Sequence, residues 1–189
     1  SPLRDMGLWP GLPPCRGGGL VLLVIVALFV STGSAQAVCL DLARKAERLF
    51  GVPAPILQAI VLTESGDSPF ALNVDGVSYF PASAREATQV IERLKSAASN
   101  IDAGCGQISL KYHRGFFGRK PEMALDPWIN VVYMSREILD GYKRTGSWSQ
   151  AVAVYHSGTP ERQKVYLCKV ARQVLVLSNR RRLSLAGCG

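Results

Sequence analysis

Glu64 is the residue of this chain whose position best suits it to acid–base chemistry. It follows an apolar stripe at helical spacing, formed by Ile56, Leu57, Ile60 and Val61. A helix that ends at Gly66 would leave this carboxyl group between apolar side chains and a loop-lined opening. Desolvation raises the pKa of such a group, which can then donate a proton near neutral pH, as cleavage of a glycosidic bond requires. Periodicity alone leaves open an ordinary surface glutamate at a helix end.

Helical patterns dominate the chain on both sides of this residue. Residues 39–50 have one apolar face and stop at Gly51, and two prolines precede the helix of Glu64. Later helix starts are indicated by a capping side chain at Asp126, which Pro127 follows, and at Ser147. Thr159-Pro160-Glu161 starts the final long helix. The sequence therefore predicts a mainly α fold.

A small β insertion is predicted between these helices. Turn-forming residues interrupt residues 66–82, and residues 77–80 suit a short strand of a hairpin. Ser83 and Glu86 form a capping box that begins a helix over residues 83–98. Residues 100–110 contain two glycines, and we expect a bend there that leads into a short helix or turn.

The first 37 residues have the features of a secretory signal peptide. Arg4 and Arg16 precede an apolar run over residues 20–30, and Ala35-Gln36-Ala37 is a small-x-small cleavage pattern. The run is shorter than the roughly 18 apolar residues of a spanning helix. The prediction is export to the periplasm, and the alternative is an uncleaved membrane anchor.

The length and the net charge of the chain indicate its number of domains and the kind of partner it favours. The chain has 189 residues, which suits one domain over residues 38–178, followed by a basic C-terminal tail over residues 179–189 that contains Arg180 to Arg182. Its 22 Lys and Arg against 14 Asp and Glu give a formal charge of +8. That charge favours a polyanionic partner without choosing between nucleic acid, membrane surface and cell wall.

Four cysteines remain after the predicted cleavage: Cys39, Cys105, Cys168 and Cys188. Their spacing matches no zinc pattern, and an oxidising compartment favours at least one disulfide. Four cysteines allow three complete pairings. We expect Cys39 to pair with Cys168, which would join the first helix of the exported domain to its last.

Short motifs in chain order resemble those of the soluble lytic transglycosylases. They are Glu64-Ser65-Gly66, Gly104-Cys105-Gly106-Gln107-Ile108 and Ala153-Val154-Tyr155-His156-Ser157-Gly158. The family patterns are Glu-Ser-Gly, Gly-x-Met-Gln-Ile and Ala-x-Tyr-Asn-x-Gly, and Asn130 in an Asp-Pro-x-x-Asn run is similar to a fourth element. The likeness covers about residues 39–175. It is closest to the small specialised transglycosylases of pilus, conjugation and secretion systems.

The resemblance implies a lysozyme-like helical domain with a small β-hairpin or loop insertion beside a cleft. It also implies cleavage of the β-1,4 bond between N-acetylmuramic acid and N-acetylglucosamine in peptidoglycan, leaving 1,6-anhydro-muramic ends. Glu64 would protonate the glycosidic oxygen and then accept the proton of the muramic 6-hydroxyl. A second catalytic carboxylate is then unnecessary, unlike in the usual two-carboxylate glycosidase.

The same resemblance implies a set of substrate-binding residues, namely Ser65, Gln107, Ile108, Asn130, Tyr155 and His156. Tyr155 would position Glu64 or the sugar through its hydroxyl. Gly106 stands where the family has methionine, which predicts the loss of an apolar cleft wall. His156 replaces an asparagine, and a structural hydrogen bond is favoured for it over catalysis. Neither a metal nor an organic cofactor is implied.

The expected partners also follow from the resemblance. They are peptidoglycan glycan strands and an envelope-spanning secretion, conjugation or pilus apparatus, with no nucleic acid and with membrane contact only through an uncleaved signal segment. The segment from Val74 to Ala103 exceeds what the simplest family members need, and we expect it to add a hairpin and a helix beside the cleft.

Three alternatives compete with this interpretation. A hydrolytic muramidase would need a second carboxylate from Asp67, Asp75 or Asp102, although turn and capping roles are favoured for each. Cys105 could act as a thiol nucleophile, but a buried or bridged cysteine is favoured. The chain could also be a non-catalytic wall-binding assembly subunit.

Overall fold

The structure is a computed structural model that describes residues 38–118, 120–180 and 188. Every described residue belongs to the unit Ala35–Gly189. The predicted signal peptide and residues 181–187 and 189 of the predicted basic tail lie outside the described residues. Both predictions therefore stay predictions.

Helices make up most of the described chain, as the sequence pattern predicts. They are α1 (Val38–Phe50), α2 (Ile56–Glu64), α3 (Ala84–Leu94), α4 (Arg114–Phe117), α5 (Pro127–Thr145), α6 (Trp148–His156) and α7 (Pro160–Leu177), with a 3-10 helix over Pro121–Leu125. No helix within residues 38–118 and 120–180 combines the length and the apolar character needed to cross a bilayer.

A small antiparallel sheet lies between α2 and α4 in the chain. Its strands are β1 (Leu72–Val74), β2 (Val77–Tyr79), β3 (Ile101–Ala103) and β4 (Ile108–Ser109), in the order β2-β1-β3-β4. The hairpin of β1 and β2 and the helix α3 confirm the insertion predicted between Val74 and Ala103. A mainly α fold with a small β insertion is thus confirmed.

The prediction for residues 100–110 holds only for the turn, which covers residues 104–107, because the rest of the segment supplies the strands β3 and β4. Ala103 pairs with both Leu72 and Ile108, so β3 is held on its two edges. Ile101 and Ala103 are buried, whereas Asp102 between them is only half-buried. This alternation places Asp102 on the open face of the sheet.

Side-chain caps begin three of the helices where the sequence predicts them. Ser83 accepts from the backbone N–H of Glu86, Asp126 from that of Ile129, and Ser147 from that of Gln150. Each cap satisfies an N–H group that the first helical turn leaves free. α3 ends at Leu94, earlier than the predicted residue 98.

The long helix α5 is the centre of the packing and contacts both α1 and α6, while α2 contacts α1 and α7. Gly141 of α5 faces Ala151 of α6 at van der Waals distance, so a side chain at Gly141 would separate these two helices. The fully buried side chains include Leu57, Ile60, Met134 and Ile138. The core therefore fixes the C-terminal end of α2, where Glu64 lies.

Two disulfides join the four cysteines of the described chain. Cys39 pairs with Cys105 at a Cα–Cα distance of 5.6 Å, and Cys168 pairs with Cys188 at 5.5 Å. The predicted pairing of Cys39 with Cys168 is wrong, because the first turn of α1 lies against the loop between β3 and β4. Since Cys105 is bridged, it has no thiol to act as a nucleophile.

Candidate active site

An open cleft of about 600 Å³ lies over the sheet, beside the C-terminal end of α2. Five of its lining residues were predicted for the site from sequence: Glu64, Gln107, Ile108, Tyr155 and His156. The sheet contributes polar side chains, among them Asn73, Ser78 and Asp102. The last turn of α2, the β3–β4 loop and the end of α6 therefore meet at one groove.

Glu64 is a carboxyl group that this environment alters strongly. Burial is the main cause that raises the pKa of Glu64 from 4.5 to about 7, and the Asp102 carboxylate acts in the same direction. The Tyr166 hydroxyl and the Lys169 ammonium group lower the pKa of Glu64, but less than burial raises it. A carboxyl group with this pKa is about half protonated at neutral pH, so it can both donate and accept a proton.

Tyr166 brings a buried hydroxyl next to this carboxyl group. Among the described residues the Tyr166 hydroxyl has no hydrogen-bond partner of standard geometry. It lies near enough to Glu64 to stabilise the carboxylate, and the charge of Glu64 in turn raises the pKa of Tyr166, whose burial is the larger cause. Tyr166 is on α7, outside the motifs that resemble the transglycosylases, and the sequence predicts it only as a helical position.

The loop between β3 and β4 carries Gln107 and Ile108 into the cleft. The side-chain amide of Gln107 donates to the carbonyl oxygens of Ala71 at 2.9 Å and Gly104 at 3.0 Å. Gln107 has a φ of +50°, a conformation that few non-glycine residues adopt. Within the described residues no hydrogen bond engages the side-chain oxygen of Gln107, so this oxygen can accept one from a ligand. Ile108 contributes an apolar floor that is 2% exposed.

Asn130 does not reach the cleft, although it was predicted to bind substrate. It is fully buried on α5, where its oxygen accepts from the Gly106 N–H at 2.8 Å. Its nitrogen donates to the carbonyl oxygens of Ala103 and Ala124. A Cβ on Gly104 would collide with this amide. Asn130 therefore fixes the β3–β4 loop from behind instead of contacting a ligand.

Tyr155 fixes the same loop from its other side. Its buried hydroxyl donates to the Gly106 carbonyl oxygen at 2.6 Å, and burial, followed by the charge of Glu64, raises its pKa well above 10. A Cβ on Gly106 would lie within 3.0 Å of the Met134 sulfur and the Tyr155 hydroxyl, so the described structure has little room for a side chain at this position. Met134 is fully buried on α5, and the predicted loss of an apolar cleft wall stays a prediction.

Ser65 and His156 were both predicted to bind substrate, but only His156 lines the cleft. Ser65 is 4% exposed and its hydroxyl donates to the Val61 carbonyl at 3.2 Å, which directs it into α2 and away from the cleft. His156 lines the cleft, and its ring stacks on that of Tyr166 at 4.4 Å. Burial, Lys169 and Arg162 lower the pKa of His156, so its ring is neutral at pH 7.

The three aspartates considered as second carboxylates occupy different places. Asp67 accepts from the Leu40 N–H, and Asp75 accepts from the N–H groups of Ser99 and Asn100, as expected of turn and capping residues. Asp102 is different, because it lines the cleft and acts electrostatically on Glu64. Burial raises its pKa, and a hydrogen bond from Asn100 lowers it.

Within the residues that the structure describes, no group of three or more His, Cys, Asp and Glu side chains is arranged to hold a metal ion. Among the described residues that line the cleft, Glu64 can transfer a proton, and neighbouring amides and hydroxyls can form hydrogen bonds.

No family model, curated protein or solved structure matches this chain.

Proposed function

We propose that this protein is a peptidoglycan lytic transglycosylase with a lysozyme-like helical domain. It would cleave the β-1,4 bond between N-acetylmuramic acid and N-acetylglucosamine and leave 1,6-anhydro-muramic ends. The observation that carries the proposal is the pKa of Glu64, which is about 7 in a cleft that also contains Gln107 and Tyr155. The resemblance of the three motifs to those of the family supplies the substrate and the reaction.

Glu64 performs both proton transfers in this proposal. In its neutral form it donates to the glycosidic oxygen as the bond to the muramic anomeric carbon breaks. The carboxylate that results is stabilised by the Tyr166 hydroxyl and the Lys169 ammonium group. It then accepts the proton of the muramic 6-hydroxyl, whose oxygen bonds to the anomeric carbon. This second transfer closes the anhydro ring and restores the neutral acid.

A hydrolytic muramidase is the second candidate, and Asp102 is the observation that favours it. This carboxylate lies in the same cleft as Glu64 and could activate a water molecule. Asp102 also suits a purely electrostatic role, in which its negative charge keeps Glu64 protonated and the hydrogen bond from Asn100 favours that charge. We favour this electrostatic role because one carboxyl group suffices for the transglycosylase reaction.

Release of soluble fragments from purified peptidoglycan tests whether the protein is an enzyme at all. The chain that begins at Val38 is expected to release muropeptides from dye-labelled sacculi, at a rate proportional to enzyme concentration. Binding to sacculi in a sedimentation assay without any release would instead support the wall-binding assembly subunit. The periplasmic location and the envelope-spanning apparatus as a partner remain part of the proposal.

The pH dependence of cleavage is expected to follow the protonation of Glu64. Activity should fall as pH rises through about 7, because the first step needs the neutral acid. Asp102→Asn removes a charge that raises the pKa of Glu64, so the alkaline limb of kcat/KM should move to lower pH. Tyr166→Phe removes a group that lowers the pKa of Glu64, so the limb should move to higher pH.

Asp140→Asn is the matched control for the Asp102→Asn profile. It makes the same change of charge on α5, in an exposed network with Arg136 and Lys143. Its profile should coincide with that of the wild-type protein. Shifts of Asp102→Asn and Tyr166→Phe in the same direction would contradict the assignment of the limb to Glu64.

A further inference from the structure

A second cavity adjoins the catalytic cleft on the side of α7. It has a volume of about 360 Å³ and is lined by His156, Glu161, Arg162, Val165, Tyr166 and Lys169. His156 and Arg162 line the first cleft as well, so the two spaces share a wall. We call this second space the α7 pocket.

The α7 pocket contains two cations that face it from one stripe of the helix. Arg162, Tyr166 and Lys169 are spaced four and three residues apart, which puts them on the same face of α7. Tyr166 lies between the cations, with its hydroxyl beside Glu64 and its ring under His156. The two charges therefore flank the residue that contacts the proposed acid.

Neither cation is neutralised by an ion pair in the described part of the chain, where the ion pairs are on α1, α3 and α5. Arg162 and Lys169 are both exposed to solvent and are free to bind a ligand. Their field reaches the site, because Lys169 lowers the pKa of Glu64 and both cations lower that of His156. Glu161, at the edge of the pocket, is the one acidic group among its lining residues.

We infer that the α7 pocket binds a carboxylate carried by the substituent of the muramic acid next to the cleaved bond. This inference rests on the proposed function. Two cations against one glutamate suit a single carboxylate better than a polyanion, because Glu161 would repel a chain of phosphates. The guanidinium group of Arg162 can hold a carboxylate through two parallel hydrogen bonds.

The carboxylate has two sources in peptidoglycan. It is either the free lactyl carboxylate of a muramic acid without its peptide or a carboxylate of the peptide stem. Both are substituents of the muramic acid ring and would lie beside the glycan cleft, where Arg162 lines both the cleft and the α7 pocket. The pocket would hold the muramic acid in one orientation relative to Glu64 and would distinguish peptidoglycan from a neutral glycan.

Calorimetric measurement of ligand affinity, with every variant also carrying Glu64→Gln, tests this inference. Glu64→Gln prevents turnover and removes the group whose pKa Lys169 lowers. The probes are a peptide-bearing glycan tetrasaccharide, the same glycan after amidase treatment, and a neutral N-acetylglucosamine tetramer. Arg162→Gln/Lys169→Gln should weaken binding of a carboxylate-bearing probe by about tenfold or more and leave the neutral tetramer unchanged. Loss confined to the peptide-bearing glycan assigns the peptide carboxylate, because its lactyl group is an amide. Loss confined to the amidase-treated glycan assigns the free lactyl carboxylate, and loss for both shows that the pocket accepts either carboxylate.

Arg48→Gln/Lys164→Gln is the matched control, since it removes two exposed cations from α1 and α7 outside the pocket. It should bind all three probes as the parent does. Unchanged binding in Arg162→Gln/Lys169→Gln, or an equal loss for the neutral tetramer, would overturn the inference alone. Failure of the parent to bind any probe would overturn both the inference and the proposed function.

Discussion

Glu64→Gln is expected to abolish glycan cleavage, with a loss of at least about 1,000-fold, because one side chain supplies both proton transfers. Glutamine preserves the size of the side chain and can neither donate an acidic proton nor accept the proton of the 6-hydroxyl. The rate of fragment release from sacculi measures the loss. The exposed Glu92→Gln on α3 is the matched control and should keep full activity.

The same variant should be at least as stable as the wild-type protein above pH 7. Glu64 has a pKa of about 7 in the folded protein against 4.5 as its ordinary value, so the folded state binds the proton more tightly. Stability therefore decreases as pH rises from 4.5 through 7, by an upper limit of about 3 kcal/mol. Glutamine removes this penalty, and chemical denaturation at pH 8 measures the gain. Lower stability of Glu64→Gln at pH 8 would contradict the environment assigned to Glu64.

Removal of the Cys39–Cys105 disulfide is expected to produce the largest loss of stability in the chain. The bridge closes 66 residues of sequence, and its loss costs about 4 kcal/mol in the chain-entropy model. Activity should fall as well, because Cys105 belongs to the loop that carries Gln107 and Ile108. Denaturation and fragment release by Cys39→Ala/Cys105→Ala measure the two effects.

Cys168→Ala/Cys188→Ala provides the comparison. This bridge closes only 20 residues, so the same model gives about 3 kcal/mol, and neither of its cysteines belongs to the β3–β4 loop. Activity of the folded protein should be retained. Equal losses of activity in the two double variants would show that the β3–β4 loop does not depend on the Cys39–Cys105 bridge.

Local signals predicted the helices well, because their causes are local. Capping side chains at Ser83, Asp126 and Ser147 each act on an N–H group within three residues, so short stretches of sequence contain them. The position of Glu64 at the end of an apolar helix likewise predicted its partial burial. The Gly66 stop and the apolar stripe favour that burial, whereas periodicity alone also fits a surface glutamate.

Contacts between distant parts of the chain account for what the sequence did not predict. β3 and β4 have three and two residues, too few for a period-two pattern. β3 depends on pairing with β1, and β4 depends on pairing with β3. The disulfide of Cys39 depends on where the β3–β4 loop meets α1, which spacing does not reveal. Asn130 and Ser65 were assigned by motif, and motif position does not determine whether a side chain points into a cleft or into a helix.

Tyr166 is a residue of the candidate site that the sequence did not predict, because its role depends on contacts between distant parts of the chain. Its hydroxyl lies beside Glu64 only because α7 contacts α2, a packing that joins residues about one hundred positions apart. In the sequence it is one aromatic position on a helix, where burial in the core is the usual expectation. Its significance comes from its neighbours in space, as does that of Arg162 and Lys169.

Product analysis in heavy-oxygen water tests the central claim most directly. If Glu64 donates one proton and then accepts another, with the muramic 6-hydroxyl as nucleophile, mass spectrometry should find anhydro-muramic ends that contain no solvent oxygen. Reducing ends that carry the heavy oxygen would mean that water attacks the anomeric carbon. That result would contradict the transglycosylase reaction and assign the protein to the hydrolytic muramidases.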